Sequence, residues 1–310
     1  MFSGQGSQYY QMGKDLFDAH PVYQQVVRHG ESVARDLIHD SIIDSLFSFS
    51  PTDLFDNLLL SHPAIVITEY AMYQTLLSEG IEPDYVWGSS IGEFAAAIIS
   101  GVWSYETALE ASIEQSKCII SNCSEGCMLA VLAPIKIYTD SSKLKKYCSL
   151  AGINFPNHFT ISFRSAYLSK IESYLNERNI SYQKLPVNYG FHSEAIDEAK
   201  GTFDFFCSTL QQFNNPNIPI FSSFNTKQIH KLHQDHFWRA VREPIHFQET
   251  LNNIEKDQSC FYIDCGPSGT LSTFVKYNLS LDSASKHFPI LTPFNQGIRN
   301  LKKIKKALTV

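Results

Sequence analysis

The chain has 310 residues, of which 44% are apolar, 18% charged and 13% aromatic. This is the composition of a globular protein able to bury one large core or two modest ones. Collagen-like, low-complexity and small disulfide-stapled classes are excluded, and no apolar run approaches the ~20 residues of a membrane-crossing helix. A net charge of −6 and a pI near 6.0 argue against a general nucleic-acid or anionic-membrane binder, so any basic surface is local.

The opening Met-Phe-Ser-Gly-Gln-Gly-Ser-Gln reads as the end of a strand running into a glycine-rich turn, with a helix over Tyr9 to Phe17. Apolar residues at i, i+3, i+4 spacing predict helices within Pro21 to Phe47 and over Pro63 to Ser78. A short strand over Asp84 to Trp87 leads into Gly88-Ser89-Ser90-Ile91-Gly92-Glu93 and an apolar helix from Phe94 to Ser100. From Cys127 to about Asn188 the texture changes to a β-α-β-α-β run. Its strands are Met128 to Leu132, Phe159 to Phe163 and Tyr182 to Val187, and its helices are Ser142 to Ser149 and Leu168 to Glu177. This predicts a small ferredoxin-like insert spanning 127–189 between the two parts, 1–126 and 190–310, of a larger subdomain. Pro219 to Ser223 and Cys260 to Asp264 have the length and apolarity of buried strands in the larger sheet.

Seven cysteines and no charged-then-apolar leader point to a reducing, cytoplasmic setting. Cys118, Cys123 and Cys127 lack CxxC spacing and read as core thiols. His230, His233 and His236, at i, i+3, i+6, sweep about 600° around a helix and cannot share a face. No metal site is expected.

Gly88-Ser89-Ser90-Ile91-Gly92 fits Gly-x-Ser-x-Gly between a strand and a helix, the setting of a nucleophile elbow. The glycines give room for a tight turn, and the serine hydroxyl lies at a helix N-terminus, where developing negative charge is favoured. Serine is a poor nucleophile near neutral pH and needs a base within hydrogen-bond reach. Among eleven histidines, His192 stands out because Asn188-Tyr189-Gly190-Phe191-His192-Ser193 follows a strand directly.

Gly4-Gln5-Gly6-Ser7-Gln8, the Ser90 elbow, the segment ending at Ser193, Arg242-Glu243-Pro244-Ile245-His246-Phe247 and Gly266-Pro267-Ser268-Gly269 stand in a telling order and spacing. In both respects the chain resembles malonyl-CoA:acyl-carrier-protein transacylases and polyketide synthase acyltransferase domains. The resemblance implies an α/β-hydrolase-like large subdomain with the ferredoxin-like insert. It makes Ser90 the nucleophile toward a thioester and His192 its base and then its acid. It places the oxyanion hole at the backbone N–H groups of Gln5 and Ile91. A main-chain carbonyl would orient the histidine, at a position matching Ala240. No metal or organic cofactor is implied. The implied partners are a phosphopantetheinylated acyl carrier protein and, as another donor, acyl-CoA.

Malonyl-specific members grip the substrate carboxylate with an arginine in the helix after the elbow; the matching residue here is Gln115. Lys117, two residues on, points to another side of the helix, and Arg164 is the other candidate cation. The residue before the nucleophile, usually histidine, is Ser89, and a glutamine before Pro-Ala is replaced by His62. Tyr189 and Phe191 complete the expected acyl pocket. An uncompensated carboxylate buried there faces several kcal/mol of desolvation, so an uncharged short acyl group is expected. This combination resembles the stand-alone acyl hydrolases of trans-acyltransferase polyketide pathways, which clear short acyl groups from stalled carriers. Acyl transfer by the same dyad is the alternative. A conventional esterase wants an acid between Ser and His in chain order and an HGGG-like loop, and neither is evident. A non-catalytic docking protein would not need Ser90, His192 and Gln5. Lysine clusters at Lys143, Lys145, Lys146 and at Lys302, Lys303, Lys305, Lys306 offer an acidic carrier two basic faces.

Overall fold

The computed structural model describes residues 1–210 and 213–308. Its strands, in chain order, are β1 (Val86–Gly88), β2 (Gly126–Val131), β3 (Ser149–Phe155), β4 (His158–Arg164), β5 (Tyr182–Lys184), β6 (Ile220–Ser222), β7 (Gln228–Ile229), β8 (Phe261–Asp264) and β9 (Lys286–Pro289).

β1 pairs in parallel with β6, and β7 adds to β6 in antiparallel fashion. β8 and β9 form a second parallel pair. The first residues of the chain join the two groups. Phe2 N–H donates to Trp87 O at 2.9 Å and Ser89 N–H to Phe2 O at 3.0 Å. On the other side Met1 N donates to Ile263 O at 2.8 Å and Cys265 N–H to Met1 O at 3.0 Å. The spatial order is therefore β9, β8, Met1–Phe2, β1, β6, β7. Both faces are covered, as a parallel sheet requires. Val86 and Ile220 enter the main core, while Trp87 and Phe221 turn to a second cluster with Phe247, Leu251 and Tyr262. The helix behind the elbow, Gly92–Ile99, is buried on every side. Its Ala95, Ala96 and Ala97 allow close approach by the helices Leu58–Ser78 and Tyr105–Asn122.

The second sheet has the order β3-β4-β2-β5, antiparallel throughout. With the helices Ser142–Tyr147 and Leu168–Asn176 it makes the β-α-β-β-α-β ferredoxin-like pattern. The strand absent from the sequence reading is β3. Gly152 interrupts its apolar pattern, and a Cβ there would stand 3.0 Å from Ile245 Cβ. The glycine marks where another backbone comes close, not where the strand stops.

Two helix expectations also change. The first helix begins only at Lys14, after Gly13 in the left-handed region at φ 72°. The Pro21 to Phe47 segment divides at His39 (φ 57°) into Pro21–Ile38 and Ile42–Ser48, the second capped by the Ser41 side chain. Among the described residues no helix is long and apolar enough to cross a membrane.

Two glycines should respond oppositely to alanine. At Gly92 a Cβ would meet the Phe2 carbonyl oxygen at 2.3 Å and that of Ser3 at 2.7 Å, and neither backbone can yield without opening the sheet. Gly92→Ala should destabilise by about 3 kcal/mol or more. Gly201, in the helix Lys200–Thr209, has nothing within 4 Å of its Cβ position, so Gly201→Ala should stabilise by about 0.4–1 kcal/mol. Denaturant midpoints of the two variants against the parent check both signs.

Candidate active site

Ser90 sits where β1 ends and the helix Gly92–Ile99 begins, at φ 57°, a left-handed conformation costing about 1–2 kcal/mol for a residue with a side chain. The surroundings enforce it. Gly88 lies so close to Glu93 that a Cβ would stand 2.7 Å from its Cα, and a Cβ on Gly4 would stand 2.7 Å from Ser90 Cβ. The reverse turn closes with Gly92 N–H to Ser89 O and Glu93 N–H to Ser90 O, both at 3.0 Å. The Ser90 side chain is thus aimed away from the sheet while the residue stays 4% exposed.

His192 comes from the loop after β5 and also has a positive φ, 59°. Its N–H donates to Val241 O at 2.8 Å. Its Nδ1 lies 2.7 Å from Glu243 O and its Nε2 3.0 Å from Ser90 Oγ. A carbonyl can only accept, so the proton is on Nδ1 and Nε2 carries the lone pair that faces the serine hydroxyl. Burial pulls the imidazole pKa down to about 4; the Glu243 carbonyl opposes the shift, and the Arg242 charge adds to it. The ring is therefore neutral at neutral pH and holds the tautomer a general base requires.

The orienting carbonyl belongs to Glu243 and not, as the sequence comparison implied, to Ala240. Ala240 lies inside the helix His236–Arg242, and Glu243 follows it in extended conformation with φ −76° and ψ 153°. Pro244 explains the difference, because the residue before a proline is driven out of the helical region. The next residue is fixed by β3: Ile245 N–H donates to Ala151 O and Ile153 N–H to Ile245 O, each at 2.8 Å. The Glu243 carbonyl is held between a helix end and a strand edge.

On the other side of Ser90, the turn Gly4-Gln5-Gly6 is built from within. Ser3 N–H donates to the buried Glu69 carboxyl at 2.5 Å, and Ser7 Oγ donates to Gly4 O at 2.8 Å. Burial pushes the Glu69 carboxyl well above the usual range. Among the described residues the N–H groups of Gln5 and Ile91 have no acceptor, leaving two donors beside Ser90.

The remaining expected pocket residues fall unequally. His62, fully buried, lies 5.4 Å from the Phe191 ring between centroids, and its neighbour Ser61 takes the Gln5 amide at 2.7 Å. Its Nδ1 is 3.0 Å from Ser116 Oγ, whose own hydrogen goes to Ser112 O at 3.0 Å. Nδ1–H must therefore be the donor, and Nε2 is an unpartnered acceptor. Burial lowers the His62 pKa to about 3. Gln115, also fully buried, donates to Phe237 O at 3.1 Å and leaves Oε1 unpartnered. Ser89 serves the turn through its backbone, and Tyr189 lies half-buried against the main core.

Neither candidate cation enters. Lys117 pairs with Glu114 at 2.6 Å, and Arg164, with its side chain 45% exposed, pairs with Glu198 at 2.7 Å. No lysine or arginine is buried among the described residues.

Sequence reasoning missed one tie. Glu93, 1% exposed, accepts from Ser222 Oγ and faces His236 Nε2 at 3.2 Å. It joins the elbow helix to the helix that leads to Glu243, and separates His236 from His230 and His233 in role. The acidic residue directly after Gly-x-Ser-x-Gly was the available signal.

Over residues 1–301 the chain matches the family described as acyl transferase domain. It is 42% identical over 307 residues to the polyketide biosynthesis acyltransferase homolog PksD of Bacillus subtilis (strain 168), covering 98% of this chain and 94% of that one. To the homolog BaeD of Bacillus velezensis it is 41% identical over 317 residues, covering 99% and 95%. In fold it is similar to the acyltransferase domain from the second module of the salinomycin polyketide synthase (TM-score 0.86, 23% identity, 99% of this chain and 72% of that one). It is also similar to MCAT from Streptococcus pneumoniae (TM-score 0.78, 22% identity, 97% and 98%). The sequence match runs through the elbow, the histidine loop and the Glu243-Pro244 junction alike, and the chain belongs to the acyl transferase domain family.

Proposed function

We propose that the protein removes short, uncharged acyl groups from acyl carrier protein thioesters of polyketide assembly, through an acyl-Ser90 ester that water then cleaves. The observation that carries this reading is the Ser90 Oγ to His192 Nε2 contact of 3.0 Å, with Nδ1 committed to the Glu243 carbonyl. Ser90 Oγ attacks the thioester carbonyl and passes its proton to Nε2. The carbonyl oxygen, now negative, is met by the N–H groups of Gln5 and Ile91, each such donor being worth about 2.7–4 kcal/mol in comparable sites. The thiolate leaves as His192 returns the proton to it. His192 then takes a proton from water, which attacks the ester and releases the free acid.

The acyl preference follows from charge. A buried carboxylate needs a cation, and this interior offers unpartnered acceptors at His62 and Gln115 instead. Transfer to a second thiol is the other reading, favoured by the acyltransferase names of the Bacillus relatives. The two differ only in whether water or thiol attacks acyl-Ser90.

Single-turnover acylation followed by intact mass should show fast acetyl loading on the parent, slow malonyl loading and none on Ser90→Ala. Fast malonyl loading would overturn the acyl assignment. The decay of acetyl-Ser90 should be equally fast with and without added pantetheine thiol if hydrolysis is the native outcome.

The pH profile of acylation has a defined sign. His192 must be neutral to accept a proton, so activity is lost as pH falls through its folded pKa. With that value at about 4, the acylation rate should stay level from pH 7 to about 5 and fall only below it. A midpoint near 6.5 would contradict this.

The basic faces make a separate claim on the carrier. Lys143 and Lys146 stand over Tyr174 and Tyr147, at 5.7 and 5.5 Å from the ring centroids, and Lys302 and Lys303 are exposed on the helix Gly297–Leu308. Reversing Lys143, Lys145, Lys146, Lys302 and Lys303 to glutamate should raise KM for the carrier substrate about fivefold or more and spare that for a small thioester. Equal effects on both would remove the docking role.

A further inference from the structure

The helix Leu58–Ser78 carries an acid in its buried middle, Glu69, which is fully enclosed. Among the described residues no lysine or arginine is buried to neutralise it. Its Oε1 accepts Ser3 N–H at 2.5 Å and stands 3.0 Å from Ser3 Oγ, while Oε2 has no partner. Ser3 Oγ lies 2.9 Å from Ser7 Oγ, and Ser7 Oγ lies 2.8 Å from Gly4 O. Both serines are buried as well.

Counting hydrogens gives these contacts a direction. A carbonyl only accepts, so the Ser7 hydroxyl hydrogen goes to Gly4 O, and Ser7 Oγ must accept from Ser3. That uses the single hydroxyl hydrogen of Ser3. The remaining contact, between Glu69 Oε1 and Ser3 Oγ, then has a hydrogen only if Glu69 supplies it. Three contacts need three hydrogens; the serines hold two, and the third is an acid proton. The neutral form also fits the bare Oε2, because an unpartnered buried carboxylate oxygen costs far more than a carbonyl oxygen. Burial acts in the same sense, pushing the Glu69 pKa well above the ordinary range although the Ser3 N–H opposes the shift.

What the contacts hold is a peptide plane. Gly4 O also accepts Ser7 N–H at 3.3 Å, and the Gly4–Gln5 peptide is trans, so its C=O and N–H point in opposite directions. Pinning the oxygen therefore aims the Gln5 N–H. A Cβ on Gly4 would stand 2.7 Å from Ser90 Cβ, which sets this peptide directly against the serine. The same helix holds the turn a second time about two turns earlier, where Ser61 Oγ takes the Gln5 side-chain amide at 2.7 Å.

We propose that Glu69 is a positioning residue for the reaction at Ser90: as a neutral acid it heads the chain Glu69 to Ser3 to Ser7 to Gly4 O, and so fixes the direction of the Gln5 N–H. This role rests on the acyl-Ser90 chemistry proposed above, in which that N–H meets the oxyanion. Glutamine cannot take its place. One atom must both accept from Ser3 N–H and donate to Ser3 Oγ, which a carboxylic hydroxyl does and neither end of an amide does.

Two measurements on the whole chain test this. In the infrared difference between the parent and Glu69→Gln at neutral pH, the parent should show the carbonyl band of a protonated carboxylic acid. A carboxylate band in its place would overturn the proposal. In acetyl loading from a small thioester, Glu69→Gln and Ser7→Ala should each lower the maximal rate about tenfold or more. The half-saturating thioester concentration should stay within about twofold of the parent's. The double variant should be no slower than the slower single one, because both break one chain; losses that multiply would refute the chain. Ser7→Ala removes one hydroxyl and no carboxyl, so it keeps the kinetic test readable if Glu69→Gln does not fold. A parental rate in Ser7→Ala, with Ser90→Ala inactive, would remove the role of Glu69 alone. Acetyl loading on Ser90→Ala would remove the acyl-Ser90 reading and this role with it.

Discussion

The hydrogen bond from His192 Nδ1 to the Glu243 carbonyl is the constraint on which the site depends. It fixes the tautomer, and the tautomer decides whether Nε2 can face Ser90 as an acceptor. A carbonyl serves here where a carboxylate serves in other serine enzymes, and the consequence is electrostatic. A buried carboxylate would hold the imidazole pKa up, whereas a neutral dipole leaves desolvation dominant and the ring uncharged. In the chemistry we propose, the base is therefore free to accept a proton over the whole physiological range. It also gains less stabilisation once charged, which favours returning the proton to the leaving thiolate.

A carbonyl can do this only if its own backbone cannot turn, and much of the fold near the site serves that end. Pro244 ends the helix before it, Ile245 is stitched to one edge of β3 at Ala151 and Ile153, and His192 N–H is tied back to Val241. The Glu93 carboxylate, between Ser222 and His236, binds the elbow helix to the helix that carries Glu243. The ferredoxin-like sheet thus takes part in the site. One of its strands helps set the position of the group that orients the base.

Cationic side chains are kept out of the interior around Ser90. The described arginines and lysines all reach solvent, His62 is held neutral by burial, and the unpartnered atoms at His62 and Gln115 are acceptors. In the function we propose, such an interior suits a neutral acyl chain and opposes an anionic one, while the basic residues left at the surface meet an acidic carrier without altering the pocket. The net charge of −6 thus describes the average surface, with the local exceptions on the helices Ser142–Tyr147 and Gly297–Leu308.

The Ser90 elbow is legible in the sequence because its demands are local. Gly88 and Gly92 flank a residue that must take a positive φ between a strand and a helix, and few other patterns allow that. His192 is legible through its segment, β2 through its apolar run and β4 through the alternation of Phe159, Ile161 and Phe163 with polar residues. The orienting carbonyl is not legible in the same way. Every residue has a carbonyl, so no residue type marks it, and only Pro244 hints that Glu243 rather than Ala240 leaves the helix. β3 is concealed by Gly152, whose missing side chain is explained by Ile245, 93 positions along the chain. The sequence by itself marked Ser90 and His192, the pair we propose as nucleophile and base, and the glutamine at position 115, since each depends on a residue's identity within a short span. Only the tertiary structure decided which carbonyl holds His192 and where the remaining cations point. Those are matters of backbone direction and burial, which arise when distant segments meet.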